Sequence, residues 1–365
     1  MDWMPDFING LKLSEMFFFE AVQPILSAHF PGLSCSAARL DYGSEVLGFD
    51  TPQSRDHHWG SRVMLYLSEA EKQTHSDRIT RVLAEKLPSE FYGYPTNFVD
   101  LDTSDAVMQP LSGGTVNHYV QVTSVEEFFC EYIGLDVTQP MNARDWLLIP
   151  QQRLRTIASG KIFYDDLNRL ESIVDGLSWY PHDLWLYLMA NQWRRIDQEE
   201  PFVGRCGDVG DELGSRIIGT RLVHELMQLC FLMEKQFAPY SKWFGTAFSK
   251  LKCSQVLSPI FQDILDSQNW KEREKHLSRA YLVLGQMHNA LDVTAYLKPE
   301  ITSFHSRPYL VPHSGRYVDA LLAQIHSDEI KALPQHAGSV DQFVNSIDVL
   351  ESMHHCRRLA VIYVE

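Results

Sequence analysis

The chain has 365 residues, 45% hydrophobic and 22% charged, a globular composition that excludes a long disordered tail and favours two packed units over one. Its formal net charge of -15 argues against a chain-wide footprint for DNA or RNA, because phosphate binding draws on clustered Lys and Arg. Neutral or cationic small molecules suit that charge better.

In chain order, the four-residue spacing of Leu13, Phe17 and Ala21 predicts a helix over Leu11 to Phe30, disturbed at Pro24. A turn at Gly43-Ser44 and a polar loop lead to Arg62–Leu67, whose short apolar run predicts a buried strand. A helix capped by Ser76 is expected to Leu87, then strands at Phe98–Leu101 and His118–Val122. Ser124 and Glu127 have capping-box spacing, so a helix is expected from there to Ile133. Beyond Asn142 helix follows helix: Arg144–Ala158, Leu167–Gly176, Pro181–Gln198, Asp211–Gln236, Ser241–Leu251, Pro259–Ser267, Trp270–Tyr296, Tyr317–Leu333 and Ser339–His354. Leu359–Val364 has the composition of a late strand. The change of character near residue 140 divides an α+β domain (1–140), a mixed sheet with flanking helices, from a helical domain (141–365).

Six cysteines (Cys35, Cys130, Cys206, Cys230, Cys253 and Cys356) show no zinc spacing and suggest free thiols in a reducing compartment. No window approaches the roughly 18 apolar residues of a membrane span, and no secretory leader is visible, so a cytoplasmic location is expected.

The chemistry concentrates in Arg39-Leu40-Asp41-Tyr42-Gly43-Ser44, a loop containing Asp50, and Asp56-His57-His58-Trp59-Gly60 before the strand from Arg62. Glycine lets backbone N–H groups approach a phosphate, serine adds a hydroxyl donor, and alternate residues of an extended segment point the same way. This order resembles the DNA polymerase beta-type nucleotidyltransferase superfamily. The resemblance implies that Gly43 and Ser44 hold a nucleotide's terminal phosphates and that positions 56 and 58 bind divalent metal. Asp56 is one such ligand; the second metal carboxylate is replaced by His58, and a third has Gln121 as its counterpart. Imidazole suits manganese, cobalt or zinc better than magnesium, so an unusual metal, a ligand from Asp50, Asp100 or Asp102, or a lost activity all stay open. Three longer phrases, Ser54–Gly60, Gly204–Ser215 and Pro239–Gly245, resemble a family of full-length proteins known only as nucleotidyltransferase-like with a domain of unknown function. That likeness implies a nucleotidyltransferase-like sheet followed by a helical half, and no particular acceptor.

In the helical half, Arg221, His224, Gln228 and Lys235 form one polar stripe, either a solvated face or a phosphate clamp. Lys242 beside Trp243 invites the same two readings. Asp208 and Asp211 are candidates for a general base, with helix capping as the alternative for Asp211. Neither a P-loop nor a G-x-S-x-G motif occurs. Pro308 and Pro312 oppose a catalytic helix carrying Arg307 and His313, and His354-His355 lack zinc partners. The expectation is transfer of a nucleoside monophosphate, AMP from ATP, to a hydroxyl or amine of a small molecule with Mg or Mn. Asp56, His58 and Asp208 would be catalytic, and Gly43, Ser44, Arg62, Arg221 and Lys242 would bind nucleotide. A degenerate nucleotide- or ligand-binding protein is the alternative, and a purely structural interaction protein a third; no nucleic acid or membrane partner is expected.

Overall fold

The computed structural model describes residues 5–55, 58–100 and 106–364. Helix α1 (Gly10–Phe17) starts at Asn9, whose side-chain oxygen accepts from the Leu11 and Lys12 N–H groups, and it buries Leu13 and Phe17. The disturbance expected at Pro24 is a π turn at Phe18–Val22 that runs straight into α2 (Gln23–His29). Proline lacks an N–H; the wider turn absorbs this by sending the Gln23 N–H to the Phe18 carbonyl.

Strand β1 (Cys35–Arg39) is absent from the sequence expectations. All five residues are buried, so the segment shows none of the alternation that marks a half-buried strand. Strand β2 (Arg62–Leu67) is buried throughout, as its apolar run predicts. Helix α3 (Glu69–Lys86) corrects the cap placed at Ser76: Ser68, directly after β2, accepts from the Glu71 N–H and starts the helix earlier. Two short antiparallel ribbons follow, β3 (Glu90–Phe91) with β4 (Tyr94–Pro95) and β5 (Phe98–Asp100) with β6 (Ala106–Met108). Strand β7 (Tyr119–Ser124) leads into α4 (Val125–Tyr132), where Ser124 accepts from the Glu127 N–H as its spacing predicts. The helix expected over Arg144–Ala158 is two, α5 (Ala143–Leu147) and α6 (Gln151–Ser159), separated at Pro150. Strand β8 (Lys161–Asp165), also unexpected, and α7 (Leu170–Leu177) follow.

Contacts divide the chain into two compact units, Met1–Pro140 with Arg153–Ser178, and Met141–Gln152 with Trp179–Glu365. The first is built on a four-stranded sheet in the order β7-β2-β1-β8. β1 pairs antiparallel with both β2 and β8, while β2 and β7 run parallel, a geometry that requires a crossover such as the one through α3. Leu13, Phe17, Phe18 and Val22 pack with Leu65, Ile79 and Leu83 in one apolar cluster. Burying side chains of this size contributes roughly 1.5–3 kcal/mol each, before the entropy of ordering them is subtracted.

The second unit is almost wholly helical: α8 (His182–Glu199), α9 (Phe202–Asp208), α10 (Glu212–Met233), α11 (Ser241–Phe248), α12 (Ser254–Asp266) and α13 (Trp270–Ala290). A small hairpin of β9 (Thr302–Ser303) and β10 (Leu310–Val311) covers the Pro308–Pro312 region, in line with the helix-breaking effect of its prolines. Then come α14 (Gly315–Leu322), α15 (Asp328–Lys331), α16 (Val340–Phe343), α17 (Ile347–Glu351) and α18 (Met353–Arg358). Leu359–Tyr363 forms a 3-10 turn, not the strand its apolar run suggested; its last buried anchor, Tyr363, donates to the Gly338 carbonyl at 2.7 Å. Buried polar groups tie helices together here. Arg273 donates to the Ser215 hydroxyl and the Glu212 carboxylate, both at 2.7 Å, while Arg195 grips Glu225 at 2.8 and 2.9 Å. No helix among the described residues is long and apolar enough to cross a membrane.

Candidate functional site

Where β1 ends, the chain turns through Asp41–Gly48 and returns along the loop that feeds β2. Gly43 has φ 149°, and a Cβ there would lie 2.5 Å from the Glu45 carboxylate, so the bend requires glycine for both backbone and space. Glu45 folds back over the bend because two arginines, one from each central strand, hold it and Asp41. Arg39 contacts Asp41 at 2.5 Å and Glu45 at 2.9 Å; Arg62 reaches Asp41 at 3.1 Å and stands 3.9 Å from Glu45. All four side chains are buried, and two positive charges offset two negative ones. Burial alone would push the Arg39 guanidinium down, but Asp41 and Glu45 outweigh it and hold that group above its ordinary range.

The same arginines fix the two segments of the site against each other. Arg39 donates to the Tyr42 carbonyl at 3.0 Å and Arg62 to the His58 carbonyl at 2.7 Å. The Tyr42 and His58 rings meet edge to face with centroids 5.3 Å apart, and the Arg62 guanidinium lies 4.7 Å from the Tyr42 centroid and 5.7 Å from that of Tyr119. His58 has φ 50°, a left-handed conformation that costs a non-glycine residue energy, and its N–H donates to the Ala106 carbonyl at 2.8 Å. Tyr119, opposite Arg62 in the parallel β2–β7 register, donates its hydroxyl to Asp100 at 2.8 Å. Burial first, and then the Asp100 carboxylate, push that hydroxyl's pKa up to about 12. Gly43 and Ser44 are partly open to solvent, and their N–H groups meet no acceptor among the described residues.

The bend that carries Gly43 and Ser44 is thus linked to His58 and Arg62 through Tyr42, Asp41 and Glu45. Arg62 is corrected in its role: at 1% exposure, with its guanidinium shared among Asp41, His58 and two rings, it is an internal strut and does not face a triphosphate. Asp56 and Asp102 lie outside the described residues. Asp50 belongs to the start of α1, accepting from the Gly10 N–H at 2.7 Å, the Asn9 side chain and the Trp59 indole at 3.0 Å. Gln121, exposed on β7, lies opposite Met64. Sequence reasoning misses Glu45, and it gives no role to Arg39 and Asp41, although both lie in the stretch where the chemistry concentrates; opposite charges at alternate positions of an extended segment just before a glycine are the available signal.

The described residues do not by themselves fit a divalent metal. Asp41 and Glu45 are neutralised by guanidinium groups, Asp50 is held by N–H donors and Asp100 by a phenol. Among the described residues no three His, Cys, Asp or Glu side chains gather as a metal-binding group. In the second unit, Arg221 pairs with Glu199 at 2.5 Å and the Lys242 ammonium sits 5.1 Å from the Trp243 ring centroid. Asp208 accepts from the Tyr309 hydroxyl at 3.0 Å. Asp211 caps α10, accepting from the Gly214 N–H at 2.8 Å, which is the capping alternative of the sequence reading.

Comparison with known proteins places a domain of unknown function, DUF4037, on residues 146–244. No curated protein matches the chain. Among solved structures, the chain is similar to a nucleotidyltransferase-like protein from Exiguobacterium sibiricum 255-15, with 10% identity over 81% of this chain and 82% of that one and a TM-score of 0.30. The DUF4037 match overlaps two of the three sequence phrases, Gly204–Ser215 and Pro239–Gly245, while a structural likeness at that TM-score carries no argument.

Proposed function

We propose that this chain is a nucleotidyltransferase-like protein that binds ATP at the Gly43–Ser44 bend and transfers AMP to a hydroxyl or amine of a small molecule in the cytoplasm. The observation that supports this is the convergence of the bend with the loop before β2, through the Tyr42–His58 ring contact and the Arg62 strut. In the proposed reaction the acceptor oxygen or nitrogen attacks the α-phosphorus. The bond to the bridging oxygen breaks and pyrophosphate leaves, while the acceptor proton passes to a base; nothing is oxidised or reduced. The Gly43 and Ser44 N–H groups would donate to phosphate oxygens, a task for which open backbone amides at a bend are suited. Magnesium or manganese belongs to the proposal through Asp56 and His58. Because the described carboxylates already have partners, no step is routed through the ion. Asp208, Arg221 and Lys242 each have a partner in the second unit, and the proposal rests on none of them.

A second reading, a binding protein that keeps the fold without turnover, is favoured by that same engagement of Asp41, Glu45, Asp50 and Asp100. Purified protein incubated with ATP, magnesium or manganese and an acceptor panel is expected to release pyrophosphate and to melt at higher temperature. Stabilisation without pyrophosphate under either metal would establish the second reading. No stabilisation by ATP under any condition overturns both.

A further inference from the structure

Tyr42 is 45% exposed, yet its ring is held from two directions. The buried Arg62 guanidinium lies over it, 4.7 Å from the centroid, and the His58 ring abuts it at an interplanar angle of 85°. Its backbone is held as well, by the hydrogen bond from Arg39 to its carbonyl. A solvent-facing aromatic side chain usually keeps rotamer freedom, and ordering one costs conformational entropy. Here the contacts with Arg62, itself paired with the buried Asp41, and with His58 restrict that freedom in the protein alone. The outcome is a half-exposed aromatic ring, supported from within, one residue before Gly43.

We infer that the outward face of Tyr42 is the stacking platform for the base of the nucleotide whose phosphates lie on Gly43 and Ser44, an inference that rests on the nucleotide reading of this bend. A preordered ring binds a flat partner without the entropy of being ordered, and stacking serves any base because each has a π face. The platform therefore separates nucleoside triphosphates from inorganic triphosphate, and by itself does not select one base strongly. If Tyr42 merely shields Arg62, its aromatic character has no bearing on ligands.

Calorimetric titration of the full chain with ATP and with inorganic tripolyphosphate, at equal magnesium, separates these. Stacking of one base predicts that ATP binds about tenfold or more tightly than tripolyphosphate. Tyr42→Ala is expected to abolish that gap while leaving the tripolyphosphate affinity within about twofold, since phosphate contacts and base stacking are separate terms. Tyr42→Phe keeps the gap. Tyr42→Leu, which still covers Arg62, serves if the alanine variant fails to fold, and must also lose it. An unchanged ATP-to-tripolyphosphate ratio in the Ala or Leu variant, or a Phe variant as impaired as Ala, overturns the inference. Tripolyphosphate bound with ATP no tighter in the unaltered protein overturns the platform and leaves the bend's phosphate role standing. Binding of neither overturns both.

Discussion

The two units bury charge in contrasting ways. In the first, Arg39, Asp41, Glu45 and Arg62 crowd around one bend, and each side chain touches at least one opposite charge. In the second, buried charges stand apart: Arg273 joins α10 to α13, Glu225 joins α10 to α8, and Glu200 has an N–H donor from Ser314 but, among the described residues, no cationic partner within ion-pair distance. Scattered polar ties fix how helices pack. A concentrated cluster fixes the path of a loop, here alongside the buried Val46 and Leu47 of the same bend. Buried ion pairs seldom add net stability over apolar replacements, so a four-member cluster at a turn points to shape as what it supplies.

Removing one member of the cluster should break that contrast most sharply. Arg62→Met leaves Asp41 short of a cation and the His58 carbonyl short of a donor inside the protein, and should cost about 3–5 kcal/mol in urea unfolding. A loss below about 1 kcal/mol would show that the cluster is not acting as a unit. Arg273→Met should cost less, about 2–3 kcal/mol, because its partner Glu212 is 36% exposed and can be rehydrated. Equal losses in the two variants would erase the distinction.

The solitary Glu200 gives the pH test. Burial, first among its influences, raises its pKa to about 7, whereas its ordinary value is 4.5. A raised folded value means that stability present below about pH 4.5 is lost as pH rises through 7. Glu200→Gln should therefore melt above the unaltered protein at pH 8, by on the order of 2 kcal/mol, and match it near pH 4.5. An advantage independent of pH would point to packing instead. Gly43→Ala should cost about 1–2 kcal/mol from its φ and its approach to Glu45, and should abolish stabilisation by ATP. Retained ATP stabilisation would detach the bend from ligand binding. Smallest is Arg221→Gln: its pair with Glu199 is surface-exposed on the arginine side, so unfolding should shift by less than about 1 kcal/mol.

Much of the architecture was legible where a local signal existed. Ser124 and Asp211 cap helices as their spacing and residue types predict, the Arg62–Leu67 run is a strand, and helices dominate after residue 180. β1 was illegible because covering both faces of Cys-Ser-Ala-Ala-Arg erases periodicity, and β8 because Lys-Ile-Phe-Tyr-Asp lies among helical segments and becomes a strand only by pairing with β1. Within the site, the nearness of Gly43 to His58 could be anticipated from a motif. The enclosure of Arg62 could not, since a charged residue at the head of a strand is drawn inward only by carboxylates 17 and 21 positions earlier in the sequence, which the fold must first bring alongside.

The pairing of β1 with β8 also bears on how the protein is made. β1 spans residues 35–39 and β8 spans 161–165, so during synthesis one hydrogen-bonding edge of β1 waits until well over a hundred further residues have left the ribosome. An open edge in a buried strand is a template for pairing with the wrong chain. Messages truncated before β8 should therefore yield aggregates, and slower translation between the two strands lengthens the interval in which a chaperone is needed.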